Sequence, residues 1–211
     1  MNLVSICIPT FNGEKYLSDT LNSVIAQSYK NFEVIIGDDD SVDNTFEIIS
    51  KYQSQMKQQV KLIRNNKRLG IGANWNNTIA HAKGKYIKML FQDDVMAPNC
   101  LERFVEILES DSTIGLLACK RKFIIDKDFN FEAENWLKLH GNLQHALNGS
   151  EFESGVLDKS FIRSKLFFNS PLNKIGEPSC TMIRRDIICD VGYFNEQLKQ
   201  KLDYEFYYRL L

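Results

Sequence analysis

The N-terminal half of the chain switches repeatedly between short apolar runs and amphipathic stretches, and this alternation constrains the fold more than any other feature. Residues 4–8 form an apolar run that halts at Pro9. Leu17, Leu21, Val24 and Ile25 then recur at i, i+4, i+7 and i+8, which is one face of a helix. Residues 32–36 read as a second strand, ending at Gly37 and the run Asp38, Asp39, Asp40. Ile48, Ile49, Tyr52 and Met56 give another helical stripe, with Asp43 placed to cap it. Residues 60–64 read as a third strand. Trp75, Ile79 and Ala82 mark a helix closed by Gly84. Residues 86–91 are a fourth strand candidate, and Leu101, Phe104, Val105 and Leu108 form a helix starting near Pro98. Strands alternating with helices predict βαβ units, a mostly parallel sheet and right-handed crossovers, so the fold class is α/β.

The pattern loosens between residues 120 and 174, where the stretches 129–140 and 161–168 mix aromatics and charges around a linker at 148–155. This region is expected to be a partly helical insertion over the sheet. Order returns with a strand at 180–184, a short helix at 185–191 closed by Gly192, and a last helix from Leu202. That final apolar pattern is still running at Leu211, which predicts a longer protein. A length of 211 residues favours one domain, and 44% apolar with 25% charged residues is ordinary for a globular chain.

Charge and cysteine usage exclude several classes. A net charge of −1 gives no basic excess for nucleic acid or an anionic membrane. The local cluster Lys61, Arg64, Lys67 and Arg68 reads as a solvated face. Cys7, Cys100, Cys119, Cys180 and Cys189 are scattered without CxxC spacing, which argues against a disulfide framework or zinc site and fits a reducing compartment. The N-terminus lacks a basic leader and cleavage site, and no apolar stretch approaches the roughly 20 residues that span a bilayer. The expectation is a soluble cytoplasmic chain.

Open α/β sheets bind ligands beyond the carboxyl ends of their strands. Three polar clusters fall there: Pro9, Thr10, Phe11 and Asn12 after the first strand, Asp38 to Ser41 after the second, and Gln92, Asp93 and Asp94 after the fourth. Three adjacent carboxylates repel one another. A structural reading gives Asp40, Ser41 and Asp43 to a turn and cap, leaving at least one of Asp38 and Asp39 to face the cleft and accept from a base N–H or a ribose hydroxyl. Asp93 and Asp94 have two readings. They suit Mg²⁺ or Mn²⁺ beside a phosphate-bearing ligand, because hard cations take oxygen ligands; alternatively they form a turn leading into the next helix. No GxxxxGK[ST] loop, complete GxGxxG or GxSxG elbow is present, and His81, His140 and His145 show no metal or triad spacing.

Taken together, these blocks resemble the GT-A glycosyltransferases of family 2. The opening Val4 to Asn12, the segment Phe32 to Asp43, Leu69 to Asn76, Ala82 to Ile87, Gln92-Asp93-Asp94 at the DxD position, Asp190 to Glu196, and Leu202 to Phe206 all match in order and at suitable distances. The resemblance implies a Rossmann-like sheet within a single catalytic domain over 1–211, with a nucleotide-binding half at about 1–118 and an acceptor-side half at 119–211. It implies that Pro9 and Phe11 border the base, that Asp39 reads it as uracil, and that Thr10, Asn12 and Asp38 belong to the same nucleotide-binding site. Asn74 would lie near the donor diphosphate, Asp93 would bind a bridging Mn²⁺ or Mg²⁺ with Asp94 beside it, and Asp203 would be the general base.

The implied reaction is a single inverting displacement from a nucleotide diphosphate sugar to a hydroxyl of a saccharide or lipid-linked acceptor, in cell-surface polysaccharide or glycoconjugate synthesis. It would take place in the cytoplasm or at the inner face of the membrane, any membrane association resting on parts outside this chain. Three positions depart from the family pattern: Phe91 replaces the first DxD aspartate, Asp40 replaces a glycine, and Leu202 replaces the glutamate before the base. Helix geometry supports Asp203 over Glu205. With Leu202, Phe206 and Leu210 on the buried face, Asp203 sits about 60° from its centre and Glu205 about 100° on the other flank. Glu177, in the loop Gly176 to Ser179, either touches an acceptor hydroxyl or belongs to a turn, and Trp136 either stacks on sugar or packs in the core. Two competing readings are a sugar-1-phosphate nucleotidyltransferase, which lacks its glycine-rich loop here, and an inactive nucleotide-sugar binding module.

Overall fold

The computed structural model describes residues 2–125, 130–143, 154–157, 160, 163–165, 167 and 173–210. Four strands, β1 (Val4–Thr10), β2 (Phe32–Asp38), β3 (Val60–Arg64) and β4 (Tyr86–Met89), alternate with helices α1 (Leu17–Ile25), α2 (Thr45–Gln55) and α3 (Ile71–Ala80). Then come α4 (Cys100–Ser110), β5 (Leu116–Ala118), α5 (Phe131–His140), a 3₁₀ turn (Pro178–Cys180), β6 (Thr181–Arg184), α6 (Arg185–Val191) and α7 (Leu202–Leu210). The sheet order is β3-β2-β1-β4-β6-β5, with the first four strands parallel and β6 antiparallel to both β4 and β5.

Both faces of this sheet are covered, which explains why β1 and β2 are apolar runs rather than alternating patterns. Val4, Ile6, Ile8, Val34 and Ile36 pack with Leu17, Leu21, Val24, Leu101, Phe104 and Leu108 on one face. Cys7, Ile35, Ile87 and Ile183 pack with Ile79, Phe194, Leu202 and Phe206 on the other. The chain runs outward from β1 to β3 and then returns through α3 to place β4 on the far side of β1. That reversal falls beyond the ends of β1 and β4, where α/β topology places a ligand.

Several boundaries differ from the sequence reading. β1 continues through Pro9, which pairs with Gly37 of β2. The ladder to β4 ends at Cys7 opposite Met89, and Cys7 and Pro9 face the same side, so the missing proline N–H points where no partner strand remains. β4 ends at Met89 rather than 91, and β5 was not foreseen because three residues carry no period. The cap of α2 is Asn44, while Asp43 one residue earlier accepts from the Thr45 N–H at 3.1 Å. α3 ends at Ala80; Gly84 is required elsewhere, since a Cβ there would lie 2.6 Å from the Ser5 backbone nitrogen. α5 supplies the helix expected in the insertion, its first turn capped by Asn130 Oδ1 accepting from the Ala133 N–H at 2.9 Å. His145, most of the linker 148–155 and half of 161–168 lie outside the described residues. Among the described residues, no helix is long and apolar enough to cross a membrane.

Candidate active site

The ends of β1, β2 and β4 are stitched together by side chains. Gln92 Oε1, after β4, accepts from the Thr10 hydroxyl at 2.6 Å and from the Phe11 N–H at 2.8 Å. Asn12, held at φ 49°, donates its N–H to the Ser41 hydroxyl at 2.9 Å and accepts from the Val42 N–H at 3.0 Å. Phe11 and Asn12 are thus presented by a loop fixed from two sides, and the Arg68 guanidinium covers the Phe11 ring at 4.0 Å.

The aspartate run divides by role. Asp38 is fully buried and bonds the Ser41 hydroxyl, with Arg64 Nε at 3.5 Å, so it ties the turn together and is not presented to a ligand. Asp39 is also buried, and its carboxylate accepts from Asn65 Nδ2 at 2.9 Å, the Leu69 N–H at 2.7 Å and the Gly70 N–H at 2.9 Å. With two donors on Oδ1 and one on Oδ2, a single lone pair on Oδ2 is left for anything else. Asp40 sits at φ 64°, in the left-handed region that favours glycine. Asn74 is buried, donates to the Gly37 carbonyl at 2.9 Å and accepts from Asn65 at 3.1 Å. It braces β2 against the loop after β3 rather than offering its amide to a diphosphate.

Beyond β4, Asp93 is exposed and Asp94 half-buried. Burial holds the Asp94 carboxyl above the usual range, against the Ser179 hydroxyl bond, while the negative charges of Asp93 and Glu177 push the same way. Beneath them the fully buried Lys88 ammonium donates to the carbonyls of Met89, at 2.8 Å, and Ser179. Among the described residues, no cluster of three or more histidine, cysteine or acidic groups forms a complete protein metal site. Two adjacent, mutually repelling carboxylates nevertheless fit a hard divalent cation that completes its shell with phosphate and water. Phe91, at the first DxD position, packs at a tilt against Trp75 at 4.8 Å and so joins an aromatic cluster with Phe194.

A cleft of about 240 Å³ adjoins this region, lined among others by Arg121, Trp136, Asn173, Glu177, Asp203 and Tyr204. Lys201, at φ 61°, turns the chain into α7 so that Leu202 is buried, in line with an apolar residue replacing glutamate. Asp203 lines the cleft, whereas Glu205 bonds Arg209 at 2.6 Å on the outer surface, which separates the two candidates by geometry. Burial raises the Asp203 carboxyl above the ordinary range, backbone N–H bonds oppose this, and the Glu177 charge adds to the rise. Glu177 pairs with Arg121, which also lies over the rings of Phe123 and Trp136. Because Glu177 acts on both Asp94 and Asp203, these three carboxylates share one local field.

Sequence reasoning missed Asn173, Arg121 and Lys88. Only Lys88 carried a signal, as a lone cation within an apolar strand.

Comparison with known proteins agrees with this geometry. The family described as Glycosyl transferase family 2 matches residues 5–192. The uncharacterized protein MT1568 of Mycobacterium tuberculosis is 28% identical over 99% of this chain and 62% of its own length. The uncharacterized glycosyltransferase RP339 of Rickettsia prowazekii is 30% identical over 98% of this chain and 58% of its own. The chain therefore spans less than two thirds of these relatives. Among solved structures, S. aureus TarS 1-349 in complex with UDP superposes with a TM-score of 0.72 at 24% identity, over 98% of this chain and 54% of that one. The mannosyltransferase PcManGT of Pyrobaculum calidifontis, in complex with GDP-Man and Mn2+, gives 0.65 at 17% identity, over 97% and 51%. These likenesses establish the GT-A type of fold, and with the match over residues 5–192 they show that the chain belongs to glycosyl transferase family 2.

Proposed function

We propose that this chain is the catalytic part of an inverting glycosyltransferase that moves a sugar from a UDP-sugar to an acceptor hydroxyl. The observation that carries the reading is the placement of Asp203: a half-buried carboxylate lining a cleft, within the field of Glu177, which also acts on Asp94 beside the strand-end loops. Neighbouring folds that hold UDP, UDP-GlcNAc or GDP-Man with Mn2+ support a nucleotide-sugar donor.

In this reading Pro9 and Phe11 border the base, and the remaining lone pair of Asp39 Oδ2 accepts from it. Asp93, with Asp94 beside it, would hold Mn²⁺ or Mg²⁺, which when bound supplies Lewis-acid stabilisation of the leaving diphosphate. Asp203 takes the proton of the acceptor hydroxyl as that oxygen attacks the donor anomeric carbon from the face opposite the diphosphate, so configuration inverts in one step. Its raised proton affinity suits that task, because a general base works best when its pKa approaches the operating pH. Glu177 faces the acceptor, a saccharide or lipid-linked hydroxyl, and is held in place by Arg121. Cell-surface polysaccharide or glycoconjugate synthesis on the cytoplasmic side is the setting this chemistry fits.

Thermal melting with UDP, with and without Mn²⁺, tests the donor half. UDP at 100 times its Kd adds about 2.7 kcal/mol, or roughly 5–10 °C, to the wild-type chain. Asp93→Ala should keep the unliganded melting point and lose most of the Mn²⁺-dependent part of the rise. A wild-type melting curve unmoved by UDP with either ion contradicts the reading.

A further inference from the structure

Asn173 lies on no strand or helix and outside the blocks that resemble the family, yet it is buried at 5% exposure in the wall of the cleft. Its side-chain amide has two N–H donors and one carbonyl acceptor, and each has a partner. Nδ2 donates to the Gly176 carbonyl at 3.0 Å and to Asp203 Oδ2 at 2.8 Å, while Oδ1 accepts from the Gly176 N–H at 2.8 Å. The two bonds to Gly176 close a turn in which that glycine sits at φ 127°, a conformation L side chains rarely adopt. They also fix which way the third bond points. One hydrogen is left, and the turn aims it at Asp203.

We propose that Asn173 is the positioning residue for Asp203: it fixes the carboxylate's direction in the cleft, favours its charged form, and through Gly176 sets the place of Glu177. This inference rests on the reading of Asp203 as the general base. The bond holds Oδ2 beside Asn173, so this amide contributes both to the carboxylate's aim and to its basicity. A donor to a carboxylate stabilises the ionised state, opposing the effect of burial. The charged and titratable groups around Asp203 are Glu177, with Arg121 paired to it, Lys201 just before α7, and Tyr204 and Tyr207 on α7 itself. The backbone N–H groups of Asp203 and Tyr204 also bond the carboxylate and stay in place when Asn173 is changed, so the change removes the Asn173 donor alone.

The test uses the 211-residue chain carrying ¹³C-labelled aspartate, with the Asp203 carboxyl signal assigned by its loss in Asp203→Asn. Titration needs no donor or acceptor. Asn173→Ala should raise the Asp203 pKa by about one unit, a tenfold change in proton affinity. Asn173→Asp keeps the acceptor for the Gly176 N–H but not the donor to the Gly176 carbonyl, and brings a second carboxylate against Oδ2; the pair should then share a proton, with a larger upward shift. Alongside, UDP release from UDP-GlcNAc with Mn²⁺ should fall in kcat for Asn173→Ala by about 10- to 100-fold, with the donor KM within about twofold, because the residue touches the base and not the donor. An Asp203 titration unchanged in both variants overturns the proposal, as does an unaltered kcat in a folded Asn173→Ala. Failure of the underlying reading looks different: Asp203→Asn itself would then transfer at the wild-type rate.

Discussion

Asp39→Asn is the perturbation that best isolates the internal bracing of the nucleotide side. The substitution keeps shape and volume but changes one acceptor oxygen into a donor. If the asparagine carbonyl retains the Asn65 and Leu69 bonds, the new amide meets the Gly70 N–H at a position where the carboxylate accepted at 2.9 Å. Two donors then face each other in a place only 3% exposed. Losing a hydrogen bond to a charged group costs about 1.5–3 kcal/mol, and leaving a buried donor unsatisfied falls in the same range. The surviving two bonds also lose their charge assistance. Against these stands the relief of no longer burying a charge. The balance is a loss of about 2 kcal/mol, or roughly 4–8 °C in melting temperature for a chain of this size. The opposite amide orientation is worse, since it sets the nitrogen against both Asn65 and Leu69. The assay is a melt monitored by circular dichroism, with Asp93→Asn as the comparison; that residue is exposed, and its change should stay within about 0.5 kcal/mol. If Asp39→Asn melts within 1 °C of Asp93→Asn (about the error of such a scan, far below the 4–8 °C expected), the three-donor cradle does not hold the loop after β3.

Two further predictions follow from single residues. Asp40 occupies a left-handed position at φ 64°, so Asp40→Gly should stabilise the fold by about 0.5 kcal/mol, the relief of backbone strain exceeding the added chain entropy of glycine; a loss above 1 kcal/mol would instead assign the carboxylate a structural task. Glu177 raises the Asp203 carboxyl, so Glu177→Gln should lower the pKa of Asp203 and move the acid limb of the rate profile to lower pH, activity persisting to more acidic solution than in the wild type; an acid limb moved upward would reverse the assigned sign.

The sheet was legible because β1 and β2 are buried on both faces and therefore carry largely apolar runs, interrupted inside by Ser5 and Glu33, whose side chains bond each other at 2.6 Å. The strand-end clusters were legible for a related reason: polar residues that stop such runs mark the edge where the sheet opens. What each polar residue does there was not legible. Asn74 bonds Gly37 across 37 positions, and Thr10 bonds Gln92 across 82, so their partners are chosen by how distant loops meet. Asp38 and Asp39 are adjacent and chemically identical, yet one closes a turn with Ser41 and the other collects three donors from the loop after β3. β5, with three residues, is too short for periodicity and exists because β6 offers it an antiparallel edge. Asn173 is one polar residue in an unpatterned stretch, and only the return of α7 brings Asp203 to it.

Proton removal by Asp203, in a crevice shared with the donor diphosphate, is the step on which the proposed reaction turns. Rates of acceptor-dependent UDP release, measured for wild type and Asp203→Asn across a panel of UDP-sugars and saccharide acceptors in the presence of Mn²⁺, test it most directly. The account predicts a fall of about 10²- to 10⁴-fold in Asp203→Asn with donor binding retained, and a wild-type acid limb lying above the ordinary carboxylate range, as the raised proton affinity of this group requires. Equal rates in the two chains would contradict it.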